Sequence, residues 1–447
     1  MLRHVGVARA KLALCALPAT HPQHRSCRAV EFDPHLPPPD TVQLPLEDIK
    51  VLDLSHALAG PFCSTMLADY GAQVIKIEPP GKGDISRAWG SPMPGGETAY
   101  FTSLHRNKRG MVLDLKHPQG RETFLKLVEK CDVVLENYRV GVLKRLGIDY
   151  AVARLRNPGI VYCSISGFGQ DGPYRDRAAL DLIVQAESGM ISVTGEPGSG
   201  GARAGTSIAD MTAGMNAAFG IMLALRVKEK TGVGQNVDVS MLEGQLGLLG
   251  TMIGGYLTDG EIPKPMGTAY KALLPYQTFR TKSRDLALAV GSEKLWKTFC
   301  PLIGRPDMAS DPRYNSNRNR DLNRDSLIAE LQQVFLARSY DEWEQLLVGN
   351  GIPMGAINDI SEVVRHPQIA ARGALVDVMH PAAGKVTMVG VPVRLSATPG
   401  SIRRPSPTLG QHSEEILAEV LGLGSAEVGA LRSAGALGMA GKDDTQD

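Results

Sequence analysis

Short apolar runs alternate with amphipathic stretches from Ile49 onward. Lys50-Val51-Leu52-Asp53-Leu54 predicts a strand. Gly60-Pro61 opens a helix to about Tyr70, with the proline in the first turn where its missing N–H costs nothing. Gly71 ends that helix, and Gln73 to Glu78 predicts a second strand. Strand, helix and strand in this order make a βαβ unit with parallel strands and a right-handed crossover. Further strands are predicted at Met111–Leu115, Asp132–Leu135 and Ile160–Ile165, with a helix over Gln119–Lys130 between the first two. The alternation predicts an α/β fold whose parallel sheet is covered on both faces.

Downstream, Gly167 to Pro173 reads as turns and Ala179–Ser188 as a short helix. Gly195 to Gly205 contains five glycines and reads as a mobile loop. A helix is predicted from Met211 to about Glu229, a strand over Gln235–Ser240, and another helix over Met241–Tyr256. From Lys264 to about Pro353 the sequence turns charged and helix-rich, which reads as a second, smaller domain. The large domain is thus expected over 41–260 and 366–437, with the small domain over 261–365 between them. Strand-like sequence at Ala374–Met379 and Val386–Leu395 is expected to return to the first sheet. Ser413-Glu414-Glu415 reads as the capped, acidic start of a C-terminal helix, and 438–447 as a disordered tail.

The start of the chain has a different pattern. Arg3, Arg9, Lys11, Arg25 and Arg28 precede the first acid, Glu31, and Leu12, Leu14 and Leu17 lie among alanines. An Arg-bearing, acid-free amphipathic start reads as a mitochondrial transit segment, which implies a matrix location. The alternative is a tail with no address. A Pro-rich linker runs from Asp33 to Pro45, so 1–40 is assigned to transit segment and linker. Over the 447 residues, 48 Lys+Arg against 47 Asp+Glu leave a charge of +1, so no basic excess exists to neutralise nucleic-acid phosphates. The most apolar helical stretch, Ala213 to Val227, is too short to span a membrane and contains Asn216. Six widely spaced cysteines form neither a disulfide framework nor a zinc knuckle.

Several chemistries fall away on motif grounds. Ser55-His56-Ala57-Leu58-Ala59-Gly60 lacks the glycines of a dinucleotide-binding turn, although Glu78 stands where a ribose-binding acid would. Gly81-Lys82-Gly83 is not a phosphate loop, and no G-x-S-x-G elbow occurs. The ten histidines form no close pair on one helix face, so no metal site is expected.

A series of motifs in order remains. It runs through Val51-Leu52-Asp53-Leu54-Ser55-His56 with Ala59-Gly60-Pro61, then Gly71 to Asp84, Asn107-Lys108-Arg109, Leu113 to Lys116 and Asp132 to Tyr138. Asp210 with Gly214 and Gly220, Thr231 to Gln235, and Leu409 to Leu417 complete it. From Ile49 to about Leu423 the chain resembles the class III CoA-transferases, which include formyl-CoA transferase, carnitine CoA-transferases and α-methylacyl-CoA racemase. Within the family it is most similar to members acting on succinate, hydroxymethylglutarate and glutarate. The resemblance implies a Rossmann-like parallel sheet in a large domain, an inserted smaller domain and an interlocked homodimer. It also implies CoA transfer between short dicarboxylic acids, with acyl-CoA as substrate and no permanently bound cofactor.

The resemblance assigns residues as well. Asp210 matches the family's nucleophile, forming an aspartyl anhydride and then an aspartyl-CoA thioester; as a carboxylate of ordinary pKa it would be ionised without a base. The same residue, placed just before a helix from Met211, also reads as an N-cap. Asp181 matches an acidic position near the reaction centre. Leu58, Ala59, Leu113, Asp114, Leu115, Lys116, Asn137, Tyr138, Arg139 and Arg145 match CoA-binding positions. The racemases carry a histidine before the acid where this chain has Leu180, and leucine exchanges no proton, so racemisation is the disfavoured alternative. Arg106, Arg109 and Arg177, clustered beside family motifs, are the candidates for holding the non-reacting carboxylate; each also reads as an ordinary surface or helix-end charge.

Overall fold

Six strands form one wholly parallel sheet in the order β3-β2-β1-β4-β5-β6. They are β1 (Lys50–Asp53), β2 (Gln73–Glu78), β3 (Lys108–Val112), β4 (Val133–Glu136), β5 (Val161–Ser166) and β6 (Asn236–Ser240). The computed structural model describes residues 43–438. The transit segment and linker expected over 1–40, and all but Gly438 of the expected tail, lie outside the described residues.

Each sheet face meets its own core because side chains alternate along a strand. Val51, Val74, Val133 and Val161 pack under helices Ala59–Asp69 and Ile208–Thr231. Leu52, Ile75, Val134 and Tyr162 pack against the opposite layer, which includes helices Pro118–Val128 and Ser413–Leu421. The expected α/β sheet with both faces covered is therefore present. β3 starts three residues earlier than its apolar run suggested, because Lys108 and Arg109 are buried in the strand as ion-pair members.

The face under helix Ala59–Asp69 carries charge where Val or Ile would be expected. Asp53, Lys76 and Lys108 all point to it, and each is 1% exposed or less. Lys108 Nζ lies 3.2 Å from Asp53 Oδ2, and Lys76 Nζ 2.9 Å from Asp84 Oδ2. Ser64 Oγ donates to Asp53 Oδ2 at 2.6 Å, and Lys76 donates to the Ser55 carbonyl. Burial pushes Lys108 down to about 8 despite Asp53 beside it. Burial alone would raise Asp53, but Lys108 and Lys76 hold its carboxyl below the usual range. The cluster thereby ties the loop after β1 to β2, β3 and helix Ala59–Asp69.

Helix Ile208–Thr231 crosses the same face. With 24 residues it is long and apolar enough, by length and composition, to cross a membrane, beyond the 213–227 stretch read from sequence. Here it packs along helix Ala59–Asp69, β5 and β6. Gly214 makes that approach possible, since a Cβ there would sit 2.6 Å from the Ala59 carbonyl oxygen. The helix expected over Met241–Tyr256 breaks at Leu249 into Met241–Leu248 and Gly250–Asp259.

A third core, built around Trp296, Phe299, Phe335 and Trp343, spans Leu274 to Ile352. Its antiparallel sheet comprises β7 (Tyr276–Phe279), β8 (Leu286–Ala289) and β9 (Met354–Ala356). The two later strands do not return to the first sheet as expected. β10 (Leu375–His380) and β11 (Gly384–Val389) pair only with each other. The chain rejoins the large sheet further on, where the Asn107 N–H donates to the Arg404 carbonyl and the His412 N–H to that of Gly110. Ser413, expected as a cap, instead accepts the Val112 N–H at 3.1 Å, and His412 precedes the helix.

Asp53→Ala should strand the Lys108 charge in a dry interior and cost about 3–5 kcal/mol, read as a lowered denaturant midpoint. Asp53→Leu combined with Lys108→Met should recover most of that loss. A single variant with an unchanged midpoint would refute the role given to the cluster.

Candidate active site

In an open parallel sheet of order 3-2-1-4-5-6, the chain leaves β1 and β4 on opposite faces, and a crevice opens beyond their C-terminal ends. A cavity of about 610 Å³ lies there. Its lining draws on His56 to Ala59 after β1, Asn137 to Val140 after β4, and Ile165 to Gly167 at the end of β5. Trp89, Tyr100, Arg175, Arg177, Leu180, Asp181, Arg203 and Asp210 close the remaining walls.

The two loops of the crevice are locked together. Asn137 Oδ1 accepts the His56 N–H at 2.8 Å, while Asn137 Nδ2 donates to the His56 carbonyl at 2.8 Å. Ala57 sits at φ +66°, a costly conformation for a residue with a Cβ. Its N–H donates to Asp84 Oδ1 at 3.2 Å, so the buried cluster holds the strained turn open to the cavity. His56 packs edge-on against Tyr138 with 5.2 Å between ring centroids. Burial first, and then Lys76, lowers its pKa, so the ring is neutral at neutral pH. Below the loop, burial raises Glu136 to about 7, and its Oε2 accepts the Tyr138 N–H at 2.8 Å.

Asp210 lies inside helix Ile208–Thr231, in its first turn, rather than just before it. The helix begins three residues earlier than its sequence suggested because its cap comes from a distant segment. Ser207 makes no side-chain cap, and Asp181 Oδ1 instead accepts the Ala209 N–H at 2.9 Å. Asp181 Oδ2 accepts from Gln185 Nε2 at 2.7 Å. Both Asp181 oxygens are thus engaged, one of them in fixing the helix that carries Asp210. Burial first, and the Asp181 charge second, raise Asp210 to about 7. The ordinary carboxylate expected from sequence is therefore replaced by one that titrates near neutrality.

The cavity gathers Leu58, Ala59, Asn137, Tyr138, Arg139, Arg177, Asp181 and Asp210 from the sequence candidates. Leu113, Asp114, Leu115, Lys116 and Arg145 lie outside its lining. Leu113 is 1% exposed, and Asp114 Oδ1 accepts the Lys116 N–H at 2.8 Å to form a turn beyond β3. Arg106 and Arg109 do not face the cavity. Arg106 donates through Nε and Nη2 to the two oxygens of Asp69 at 2.9 and 2.6 Å. Arg109 pairs with Glu415 and Glu419 of the C-terminal helix. Both guanidiniums are committed to holding the fold together.

Sequence reasoning missed His56, Trp89, Tyr100, Arg175 and Arg203 as lining residues. Arg203 alone left a local trace, as a cation inside a glycine-rich loop. That loop is also more tied down than its composition suggested: the N–H groups of Gly201, Ala202 and Ala204 donate to Ser199 Oγ, the Thr194 carbonyl and Gln185 Oε1.

Comparison with known proteins agrees with this geometry. The sequence profile of CoA-transferase family III matches residues 46–413. The human succinyl-CoA:glutarate CoA-transferase is 38% identical over 391 residues, covering 88% of this chain and 89% of the human one. The succinate–glutarate CoA-transferase of Agrobacterium fabrum is 38% identical over 387 residues, covering 84% and 96%. A crystal structure of a CAIB/BAIF family protein from Brucella suis superposes with a TM-score of 0.76 at 35% identity, over 85% of this chain and 100% of that one. With a fold and a sequence that agree along most of its length, the chain belongs to CoA-transferase family III and is an enzyme that transfers coenzyme A.

Proposed function

We propose that this enzyme moves CoA between short dicarboxylic acids, with succinyl-CoA or hydroxymethylglutaryl-CoA as donor and glutarate, succinate or hydroxymethylglutarate as acceptor. The observation that carries the reading is the Asp210 carboxylate, which lines the crevice beside Asp181, an acid whose own oxygens are both engaged. The names of the similar proteins, which pair succinyl-CoA or succinate with glutarate, support the substrate class.

The chemistry follows from that carboxylate. Asp210 attacks the acyl carbonyl of the donor; the C–S bond breaks, CoA leaves as thiolate, and a mixed anhydride forms. The thiolate then attacks the Asp210 carbonyl, expelling the donor acid as its carboxylate and leaving an aspartyl-CoA thioester. An acceptor carboxylate attacks that thioester, giving a second anhydride and thiolate. Attack of the thiolate on the acceptor's acyl carbon releases the new acyl-CoA and frees Asp210. One thioester replaces another, so bonds and charges balance without further reactants. Neutral His56 and the Tyr100 hydroxyl are among the lining groups able to donate to a developing oxyanion. Leu180 lines the cavity beside Asp181 and offers no base for racemisation. The CoA chain is assigned to the crevice, continuing past Asn137 to Arg139 along the same sheet edge toward Leu113–Lys116 and Arg145.

We also assign the exposed apolar face of helices Ile208–Thr231 and Gly250–Asp259 to a second copy of the chain. Phe219, Leu223, Met252, Tyr256 and Leu257 stand 40–76% exposed there. A dimer at micromolar concentration in sedimentation is the expected outcome, and a folded active monomer would contradict it.

Asp210→Asn should abolish transfer, because an amide forms no anhydride, while the fold persists; full activity would end the proposal. The variant should also be more stable than the parent at pH 8. A carboxyl raised in the folded state contributes stability that is fully present below its unfolded pKa, near 4, and lost as pH rises through about 7. Solvent screening of the half-buried group limits the gain to about 1–2 kcal/mol, vanishing below pH 4.

The rate of transfer from succinyl-CoA to glutarate should rise between pH 6 and 8 as Asp210 ionises. Asp181→Asn removes the neighbouring charge and should move that rise to lower pH. A profile indifferent to the Asp181 charge would contradict the electrostatic coupling.

A further inference from the structure

Four arginines line the crevice, and they differ in what their guanidiniums approach. Arg177 Nη2 donates to Glu187 Oε1 at 2.7 Å, and its guanidinium lies 4.4 Å from the Tyr174 ring centroid. Arg175 leans on its neighbour Asp176 at 3.5 Å, half exposed. Arg139 follows the Asn137 clamp after β4, and among the described residues it forms no ion pair and does not approach Asp181 as Arg203 does. Arg203 lines the crevice with Asp181 and Asp210 and approaches the first of them. Its Nη2 stands 3.5 Å from Asp181 Oδ2, too long for a strong hydrogen bond.

Asp181 does not depend on that contact, since Ala209 and Gln185 already satisfy its two oxygens. Among the described residues the Arg203 guanidinium makes no hydrogen bond closer than this, so its donor fork is open. Its backbone, by contrast, is fixed on both sides. The Ala202 N–H donates to the Thr194 carbonyl at 2.7 Å, and the Ala204 N–H to Gln185 Oε1 at 2.9 Å. Gln185 therefore links the loop bearing Arg203 to the acid that positions Asp210. Gly201 is required for this close course: a Cβ there would sit 2.2 Å from the Ile191 carbonyl oxygen, at φ +107°.

A dianionic acid faces a difficulty in this crevice. One of its carboxylates has to approach the Asp210 carbonyl, and the other then lies in a space already holding the Asp181 charge. We propose that Arg203 determines acid specificity by turning its guanidinium from Asp181 to the distal carboxylate of the dicarboxylic acid. This rests on the CoA-transfer reading above and adds the residue that selects the acid. The planar fork grips a carboxylate through two parallel N–H bonds, and charge-assisted pairs of this kind are among the stronger contacts available in a half-exposed site. A monocarboxylic acid leaves Arg203 on Asp181 and gains nothing from it.

The test compares wild type, Arg203→Gln and Arg203→Lys with glutarate and with butyrate as acceptors. Calorimetric titration of each acid into the same proteins is run in parallel. Arg203→Gln should raise the KM for glutarate and weaken its binding 10- to 100-fold. The values for butyrate and the inhibition constant of free CoA should change less than threefold, with Arg203→Lys falling between. Equal losses for both acids, or an unchanged preference for glutarate over butyrate, would overturn the role of Arg203 while leaving CoA transfer intact. Binding of glutarate through Arg203 without turnover from succinyl-CoA would instead sink the proposed function and leave the subsite standing.

Discussion

The Asp53–Lys108 ion pair, together with Lys76 and Asp84, is the constraint on which the site depends. Buried charge is expensive, and a pair that loses one member destabilises more than an apolar substitute would. This chain retains four such groups, three on one sheet face and Asp84 in the loop after β2, because they position backbone as well as neutralise one another. Asp84 holds the strained Ala57, Lys76 holds the Ser55 carbonyl, and Asp53 holds Ser55 and Ser64. The turn after β1 is thereby fixed at the point where the sheet opens. Asn137 then transmits that position to the turn after β4.

A second device sets the reactivity of the carboxylate. Helix Ile208–Thr231 has no cap of its own, and Asp181 supplies one from a segment 28 residues away. The same acid raises the pKa of Asp210 from a short distance. Capping and pKa adjustment are therefore coupled in one side chain. The Asp210 charge is disfavoured by burial, so on the proposed route a neutral anhydride or thioester would relieve the same penalty that opposes its ionisation.

The sheet was legible because β1, β2, β4 and β5 are short, largely apolar runs buried on both faces and set between helical stretches. β3 was misplaced by three residues because Lys108 and Arg109 resemble surface cations until their partners are seen. Those partners, Asp53, Glu415 and Glu419, lie 55 to 310 residues away in sequence. The same distance concealed that Arg106 and Arg109 are structural, as did the Asp69 partner of Arg106. The start of the Asp210 helix was hidden for a related reason, since its cap is tertiary. Asp210 itself was found through the family motifs, whereas Arg203 showed in the sequence only as a cation inside a glycine-rich loop, and its approach to Asp181 followed from the path of that loop.

The central claim is that CoA becomes covalently attached to Asp210. It is tested most directly by incubating the enzyme with succinyl-CoA alone, quenching with hydroxylamine and mapping the modified peptide by mass spectrometry. The account predicts a hydroxamate on Asp210 and on no other carboxylate. Modification of Asp181, or turnover with no trapped adduct on Asp210, would contradict it.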